Sequence, residues 1–395
     1  NSNDVKQDET RRRETVPADH IADNAIFPAS KMGFGCMRLP LLDKNDPKSI
    51  DMPQFEQMVD AFMEAGNTYF DTAFVYHEGE SEVALGKALV ARYPRESFTI
   101  ATKCLAWALP NKEAAQECLD VSLKRLGTDY VDYYLLHNVG GKRTAKFDEY
   151  DMWDFAQEQK AAGKIRYVGF SIHDDAECLD RLLTAHPEMD FVQLQINYLD
   201  WDDPHNEAHR LMEVAEKYGK PVIIMEPARG GKLCTLPEEA AKPLMQAKPD
   251  STQAEWAYRF CWNLPNVIAV LSGMSTIEQA RENLASYAAN KPFTAAEQEA
   301  LDATIANLRA MASVPCTACG YCVEGCPSHV KIPQIMELLN LEEMTKDHDF
   351  VKDLYSWQAA EGRASECIKC GACEDMCPQG IGIIEQLERA AEQYE

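Results

Sequence analysis

"FTIATKCLAWALPNKEAAQECLDVSLKRLGTDYVDYYLL" (98–136) reads as a strand, a helix and a second strand. The runs 98–103 and 131–136 are short and apolar, while 112–126 spaces its apolar residues for a helix. Strands this apolar suit a parallel sheet covered on both faces. The same rhythm extends in both directions. Strands are predicted at 31–36, 68–71, 98–103, 131–136, 165–171, 191–197, 222–226 and 267–273. Helices are predicted near 53–65, 80–91, 112–126, 149–162, 175–185, 205–218, 252–263 and 276–289. Eight of each within 31–290 predict an α/β chain with a closed (β/α)8 TIM barrel. A doubly wound open sheet is the alternative, but Gly33 and Gly35 lack the third glycine that would open its first helix. One more helix is expected over 294–312.

The chain has 395 residues, 46% of them hydrophobic, enough for a large core with a smaller domain beside it. The expected divisions are a polar lead-in over 1–30, the barrel over 31–312 and a small domain over 313–395. A net charge of −25 argues against nucleic acid as a partner. No apolar run approaches the roughly 20 residues of a membrane helix, so a soluble chain with no membrane partner is expected. Six of the fourteen cysteines (Cys36, Cys104, Cys118, Cys178, Cys234, Cys261) are scattered, unlike a disulfide framework, which points to a reducing, cytoplasmic compartment. The chain begins at Asn1, and no apolar stretch follows the arginine run "RRRETV" (11–16); an export signal already removed is the alternative.

The other eight cysteines form two copies of one pattern, "CTACGYCVEGCP" (316–327) and "CIKCGACEDMCP" (367–378). Each reads C-x2-C-x2-C-x3-C-P, the run with which bacterial ferredoxins hold iron–sulfur cubanes. Three close thiolates wrap one cluster, and the fourth, next to the proline, reaches the other. This assigns Cys316, Cys319, Cys322 and Cys377 to one [4Fe–4S] cluster, and Cys367, Cys370, Cys373 and Cys326 to a second. Gly320, Gly325 and Gly371 leave room for backbone amides near the sulfurs. Two zinc sites are the alternative. "IPQIMELLNLEEM" between the runs and "IIEQLERAAEQYE" after them have helical spacing, so the small domain is expected to be mainly α-helical.

Active sites of such barrels lie at the C-terminal ends of the strands. Asp71, Lys103 and His137 fall at the ends of strands 2, 3 and 4, and Tyr76 follows in the loop after strand 2. Singly, each has a structural reading as a cap, a loop ring, a surface ammonium or a satisfied polar group. Together at one rim they read as a catalytic set. With "FDTAFVYHEGESEVALGKAL" (70–89), "ATK" (101–103), "LLH" (135–137), "GFGCMRLP" (33–40) and "SGMSTIEQARENL" (272–284), the chain resembles the aldo-keto reductases. The added cassettes resemble that family's bacterial branch with a ferredoxin-like tail.

The resemblance implies an oxidoreductase that reduces a carbonyl, or oxidises an alcohol, with NADP(H) or NAD(H). Tyr76 would be the acid, its phenol, with a pKa near ~10, lowered by Lys103. Asp71 would hold Lys103, and His137 would orient the carbonyl oxygen. The family pattern places the nucleotide along Gly35, Cys36 and Met37, with Ser171 and Gln195 at the carboxamide. Met225 stands where a stacking aromatic is usual. Pro227, Arg229 and Gly230 would meet the pyrophosphate, and Ser275, Gln279, Glu282 and Asn283 the adenosine end. The chain departs from the pattern at Met225, at Ile172 and His173 in place of an asparagine, and at Gly273 or Met274 in place of a base. Arg281 or Arg229 could stand in for that base, which leaves NADPH and NADH as alternatives. In a second reading the clusters feed electrons to the barrel, with a redox partner protein or a flavin, although no flavin motif is present. In a third the barrel is a non-catalytic redox-sensing subunit. His205 and His209, at i and i+4, read as a solvated helix face. Trp107, Tyr198 and Trp201 line either the substrate pocket or ordinary loop packing.

Overall fold

The computed structural model of the chain describes residues 28–204, 206–316, 318–377 and 379–395. Most of the expected lead-in over 1–30, the arginine run and His205 lie outside them. Eight parallel strands close a barrel in chain order: β1 (Met32–Gly35), β2 (Tyr69–Asp71), β3 (Thr99–Cys104), β4 (Val131–Val139), β5 (Ile165–Ile172), β6 (Phe191–Gln195), β7 (Val222–Met225) and β8 (Val267–Gly273). Helices follow the strands: α1 (Met52–Glu64), α2 (Glu80–Leu85), α3 (Lys112–Leu126), α4 (Thr144–Glu149), α5 (Met152–Ala161), α6 (Ala176–Ala185), α7 (Ala208–Lys217), α8 (Glu238–Ala247), α9 (Gln253–Trp262) and α10 (Ile277–Ala288). The C-terminal helices are α11 (Ala295–Ala310), α12 (Tyr321–Glu324), α13 (Ile332–Thr345), α14 (His348–Gln358), α15 (Ala372–Asp375) and α16 (Ile383–Tyr394).

Two helices differ from the sequence expectation. The stretch near 149–162 is not one helix, because Asp151 sits at φ +51° and a left-handed residue ends the ladder between α4 and α5. Helix α8 was not expected, since it carries Pro243 in its interior. Proline has no N–H to offer the carbonyl four residues back, that of Glu239. Asn307 of α11 supplies the donor instead, its Nδ2 lying 3.3 Å from that oxygen, and Thr304 donates to Ala240 O at 2.9 Å.

The barrel interior is filled by Tyr69, Ala101, Tyr133, Leu135, Phe191, Ile223, Ala269 and Leu271, all at odd-numbered positions, with Ile268 of β8 the even-numbered exception in the same cluster. Side chains alternate along a strand. The same parity therefore carries Asp71, Lys103, His137, Ser171, Gln195 and Met225 inward at the C-terminal ends of six strands. Even positions face the helices: Phe34 packs on Phe55, Phe62 and Phe70 with ring centroids 5.4–5.8 Å apart. Each such ring contributes about 1.5–3 kcal/mol through burial.

The chain forms two compact units. One holds the residues through Trp201, Ala208–Pro227 and Ala257–Pro292, and so contains every barrel strand. The other holds Asp202–Glu207, Ala228–Trp256 and Phe293–Glu395. Its apolar core is built on α13, whose Ile335, Met336, Leu338 and Leu339 are fully buried, with Val351, Tyr355 and Leu387 against them. Among the described residues no helix is long and apolar enough to cross a membrane.

Candidate functional site

Lys103 reaches across the rim from β3 and is fully buried. Its Nζ donates to Asp71 Oδ1 at 2.5 Å, to Thr72 O at 2.7 Å and to Tyr76 Oη at 3.5 Å. Burial alone would depress the ammonium. The carboxylate and the phenol oxygen outweigh it and hold Lys103 above its ordinary value. Asp71 is pushed up by the same burial, against the pull of Lys103, and its Oδ2 has no partner among the described residues. The expectation that the Tyr76 phenol lies below its ordinary value is corrected, although Lys103 acts on it in the expected direction. Lys103 pulls downward, but desolvation is larger and the net direction is up. His137 meets Tyr76 edge-on at 5.9 Å. Burial, then Lys103 and His173, hold its imidazole well below the usual range, so it is neutral near pH 7.

The loop that presents Tyr76 is held from below. His77 and Glu78 take φ +52° and +53°, conformations that cost free energy unless neighbours enforce them. Arg125 of α3 does so: it donates to Phe74 O at 2.9 Å, pairs with buried Glu82 at 3.1 Å and lies over the Phe74 ring. Thr102 donates to the other Glu82 oxygen at 2.5 Å. Gly86 is required there, because a side-chain carbon on it would stand 2.8 Å from the Arg125 and Leu126 carbonyls. His77 ties the loop sideways, accepting from Leu39 N and donating to Pro47 O.

The residues expected around a nucleotide are less uniformly placed. Met37 is exposed and Cys36 is fully buried. Ser171 Oγ accepts from Asn138 N at 2.8 Å. Gln195 donates to Asp200 at 2.8 Å and contacts His173 Nδ1 at 3.2 Å. Ile172 faces outward and is buried, whereas His173 continues the inward parity of β5. Met225 lies at the end of β7, with its sulfur accepting from Gln193. Pro227 is buried. Arg229 is nearly buried and pairs with Glu337 at 2.5 Å within its own unit, and Gly230 takes φ +64°. Ser275 N donates to Gln279 Oε1, and Ser275 Oγ to Arg38 O. Asn283 is buried and donates to Ser272 Oγ; Glu282 and Arg281 are exposed. Trp107 Nε1 donates to His137 O, Tyr198 is buried and Trp201 stacks on His209.

Two charged rim residues escaped the sequence reading. Arg38 follows β1, lies against Gly273 and pairs with Glu226 at 3.7 Å; Glu226 follows β7 at φ +55°. The available signal was position, since each is the first charged residue after its strand.

In the second unit the eight cassette cysteines line two small cavities. Cys316, Cys319, Cys322 and Cys377 surround one, with Ile332, Met336, Ile381 and Ile383. Cys326, Cys367, Cys370 and Cys373 surround the other, with Ile332, Ile384 and Leu387. The two runs share one backbone: Ala318 and Lys369 are at φ +53° and +57°, Gly320 and Gly371 at +80° and +82°. Glycine at the second position keeps that left-handed turn free of strain. Burial raises the Cys316, Cys322 and Cys373 thiols, Cys322 to about 11. Four thiols facing an apolar hollow suit a metal that displaces their protons. Among the described residues no three His, Cys, Asp or Glu side chains converge on a single-ion site.

Comparison with known proteins identifies both parts of the chain. The profile of the Aldo/keto reductase family matches residues 31–306, and that of a 4Fe-4S dicluster domain matches 315–381. An uncharacterized oxidoreductase of Bacillus subtilis, YqkF, is 31% identical over 279 residues, 65% of this chain and 86% of its own length. An aldo-keto reductase of Mycolicibacterium vanbaalenii is 31% identical over 288 residues, 73% and 91% of the two lengths. Among solved structures, the holo form of the aldo-keto reductase AKR11C1 from Bacillus halodurans is similar with a TM-score of 0.56 and 27% identity, covering 69% of this chain and 91% of that one. A Klebsiella pneumoniae aldo/keto reductase, solved in complex with NADP and acetate, shares the fold at 22% identity and a TM-score of 0.55, covering 69% and 90%.

Proposed function

Because the chain belongs to the aldo/keto reductase family, we propose that it reduces a small carbonyl compound with NAD(P)H, and that its cassettes hold two [4Fe–4S] clusters. One observation carries the first half: a fully buried Lys103 stands between Asp71 at 2.5 Å and Tyr76 at 3.5 Å. A bound nicotinamide supplies hydride to the carbonyl carbon. Tyr76 delivers the proton to the oxygen. Burial keeps its phenol protonated until then, and Lys103 stabilises the phenolate left behind. Neutral His137 hydrogen-bonds the same oxygen and orients it. The reading for the nucleotide is sharpened by Arg38, an exposed cation beside Ser275 and the start of α10. A helix N-terminus favours phosphate. Arg38, whose pair with Glu226 is long at 3.7 Å and exposed, is a better candidate for the base that Gly273 and Met274 do not supply than Arg229, held at 2.5 Å by Glu337 in a nearly buried pair.

For the clusters, the support is the way the cavities divide the thiols, three from one run with the last of the other. A single tetrahedral zinc would draw its four sulfurs to about 3.8 Å from one another, given Zn–S near 2.3 Å. A cubane spans more, which fits cysteines spread around a hollow. A second reading, in which the clusters exchange electrons with a partner, is favoured by the exposure of Cys319 and Cys370. The buried free thiols of the barrel fit a reducing compartment, and we place the protein in the cytoplasm.

The test is Tyr76→Phe in anaerobically prepared protein, assayed for NADPH oxidation with a panel of small aldehydes. Turnover should fall by about 10²–10⁴-fold while iron content and cluster absorbance stay unchanged. Unaltered turnover would remove Tyr76 as the acid.

A further inference from the structure

Strand β4 bulges at its end. Leu136 pairs with Phe170 and Val139 with Ile172, so His137 and Asn138 together stand opposite Ser171. Bulges beside active sites re-aim side chains. Asn138 takes φ +57°, and its carbonyl accepts from Arg143 Nε at 2.9 Å. The backbone N–H of Arg143 donates to Gly140 O at 3.0 Å, so the residue is held at two points. The turn between them is tightly seated: Gly140 is at φ +127°, and a side-chain carbon on it would stand 2.8 Å from Asp174 Oδ2.

The plain structural reading is that Arg143 serves the Asn138 carbonyl. That occupies one of five guanidinium N–H groups. Among the described residues Arg143 makes no ion pair, although the chain has 64 Asp and Glu against 39 Lys and Arg. The half-buried guanidinium acts on the His173 imidazole, and His173 in turn acts on His137. The fork thus belongs to the same rim as Tyr76 and His137. A long side chain already fixed at two points loses little freedom when it binds.

We propose that Arg143 binds a carboxylate on the substrate, so that the substrate class is the oxo acids, carbonyl compounds that also carry a carboxylate. It rests on the reading that Tyr76 and His137 receive the carbonyl oxygen. The planar fork of arginine matches a carboxylate with two parallel N–H···O bonds. It would match a phosphate as well, but Glu226 faces this rim, where its carboxylate acts on both Tyr76 and His173. A like charge that close disfavours a dianion more than a monoanion.

The full chain, prepared anaerobically, is assayed with NADPH and NADH on two pairs of aldehydes. These are 4-carboxybenzaldehyde with methyl 4-formylbenzoate, and 4-oxobutanoate with butanal. Only the first of each pair carries a carboxylate. The wild type should favour each acid about tenfold or more in kcat/KM. Arg143→Gln keeps a side-chain N–H for the Asn138 carbonyl but loses the charge. It should lower the acid-to-neutral ratio about tenfold or more, chiefly through KM for the acid. Arg143→Lys, a charge without the fork, should recover part of the ratio. If the variants fail to fold, competitive inhibition of the wild type carries the test, and benzoate should bind about tenfold tighter than benzamide. The same ratio in wild type and Arg143→Gln, or equal inhibition by benzoate and benzamide, overturns the carboxylate site. A wild type that reduces none of the four aldehydes overturns the reductase reading instead, and the proposal with it.

Discussion

Lys103 and Asp71 are held 2.5 Å apart by two adjacent strands of a closed barrel, out of contact with solvent. The eight cassette cysteines are held by two four-residue helices and left-handed turns, and no charged side chain lines either cavity. The rim is largely held by its own groups: Lys103 donates to Asp71 Oδ1 and to the Thr72 carbonyl, while Asp71 Oδ2 has no partner among the described residues. The cysteine runs rest on the apolar core of their own unit, but their thiols line hollows rather than pair with one another or with a charged group. Preorganisation by a sheet and organisation by a ligand are two routes to a reactive site, and this chain uses both.

The contrast can be broken most forcefully by removing metal. Anaerobic chelation of the iron should release amide protection across α12, α13 and α15, while β2–β4 stay protected in hydrogen exchange. Uniform loss in both regions would show that the rim is no more self-sufficient than the runs. Next in size is Lys103→Met, which leaves Asp71 buried and unpaired. It should cost about 3–5 kcal/mol in chemical denaturation. The double variant with Asp71→Asn should recover much of that, and failure to recover would mean that packing, not charge pairing, holds the site.

A smaller effect is expected from pH. The His137 imidazole titrates well below its ordinary value near 6.5, chiefly through burial. Below that pH the unfolded chain takes up a proton that the folded chain refuses, so stability is lost as pH falls from about 6.5. His137→Gln should make that loss shallower. It should not abolish it, because His173 is depressed by burial in the same direction. The smallest change is Asn307→Ala, expected to cost at most about 0.5 kcal/mol because the bond is exposed and water can serve the Glu239 carbonyl, measured by thermal denaturation.

The barrel was legible because its strands are apolar runs of the right length, and the cassettes because cysteine spacing is chemically specific. Asp71, Lys103 and His137 could be read as strand ends, and parity then carried them to one rim. Helix α8 was hidden by Pro243, since its compensating donor lies 64 residues away in Asn307. The break at Asp151 turns on one left-handed residue that any polar loop could contain. Among the nucleotide candidates, Arg229 could not be assigned from sequence, because the carboxylate that engages it, Glu337, lies 108 residues further on. The sign of the Tyr76 shift was equally hidden, as desolvation depends on how tightly the loop is packed.

The proline in α8 also has a practical bearing on dissecting the chain. A truncation that stops where the last barrel helix ends, near Asn290, would strip Glu239 and Ala240 of both donors and expose the face that Thr304 and Asn307 cover. A cut between Ala310 and Cys316 keeps α11 with α8 and removes the metal-binding tail, at the cost of the ion pair that Glu337 makes with Arg229. Anyone seeking the reductase portion by itself should place the stop codon there.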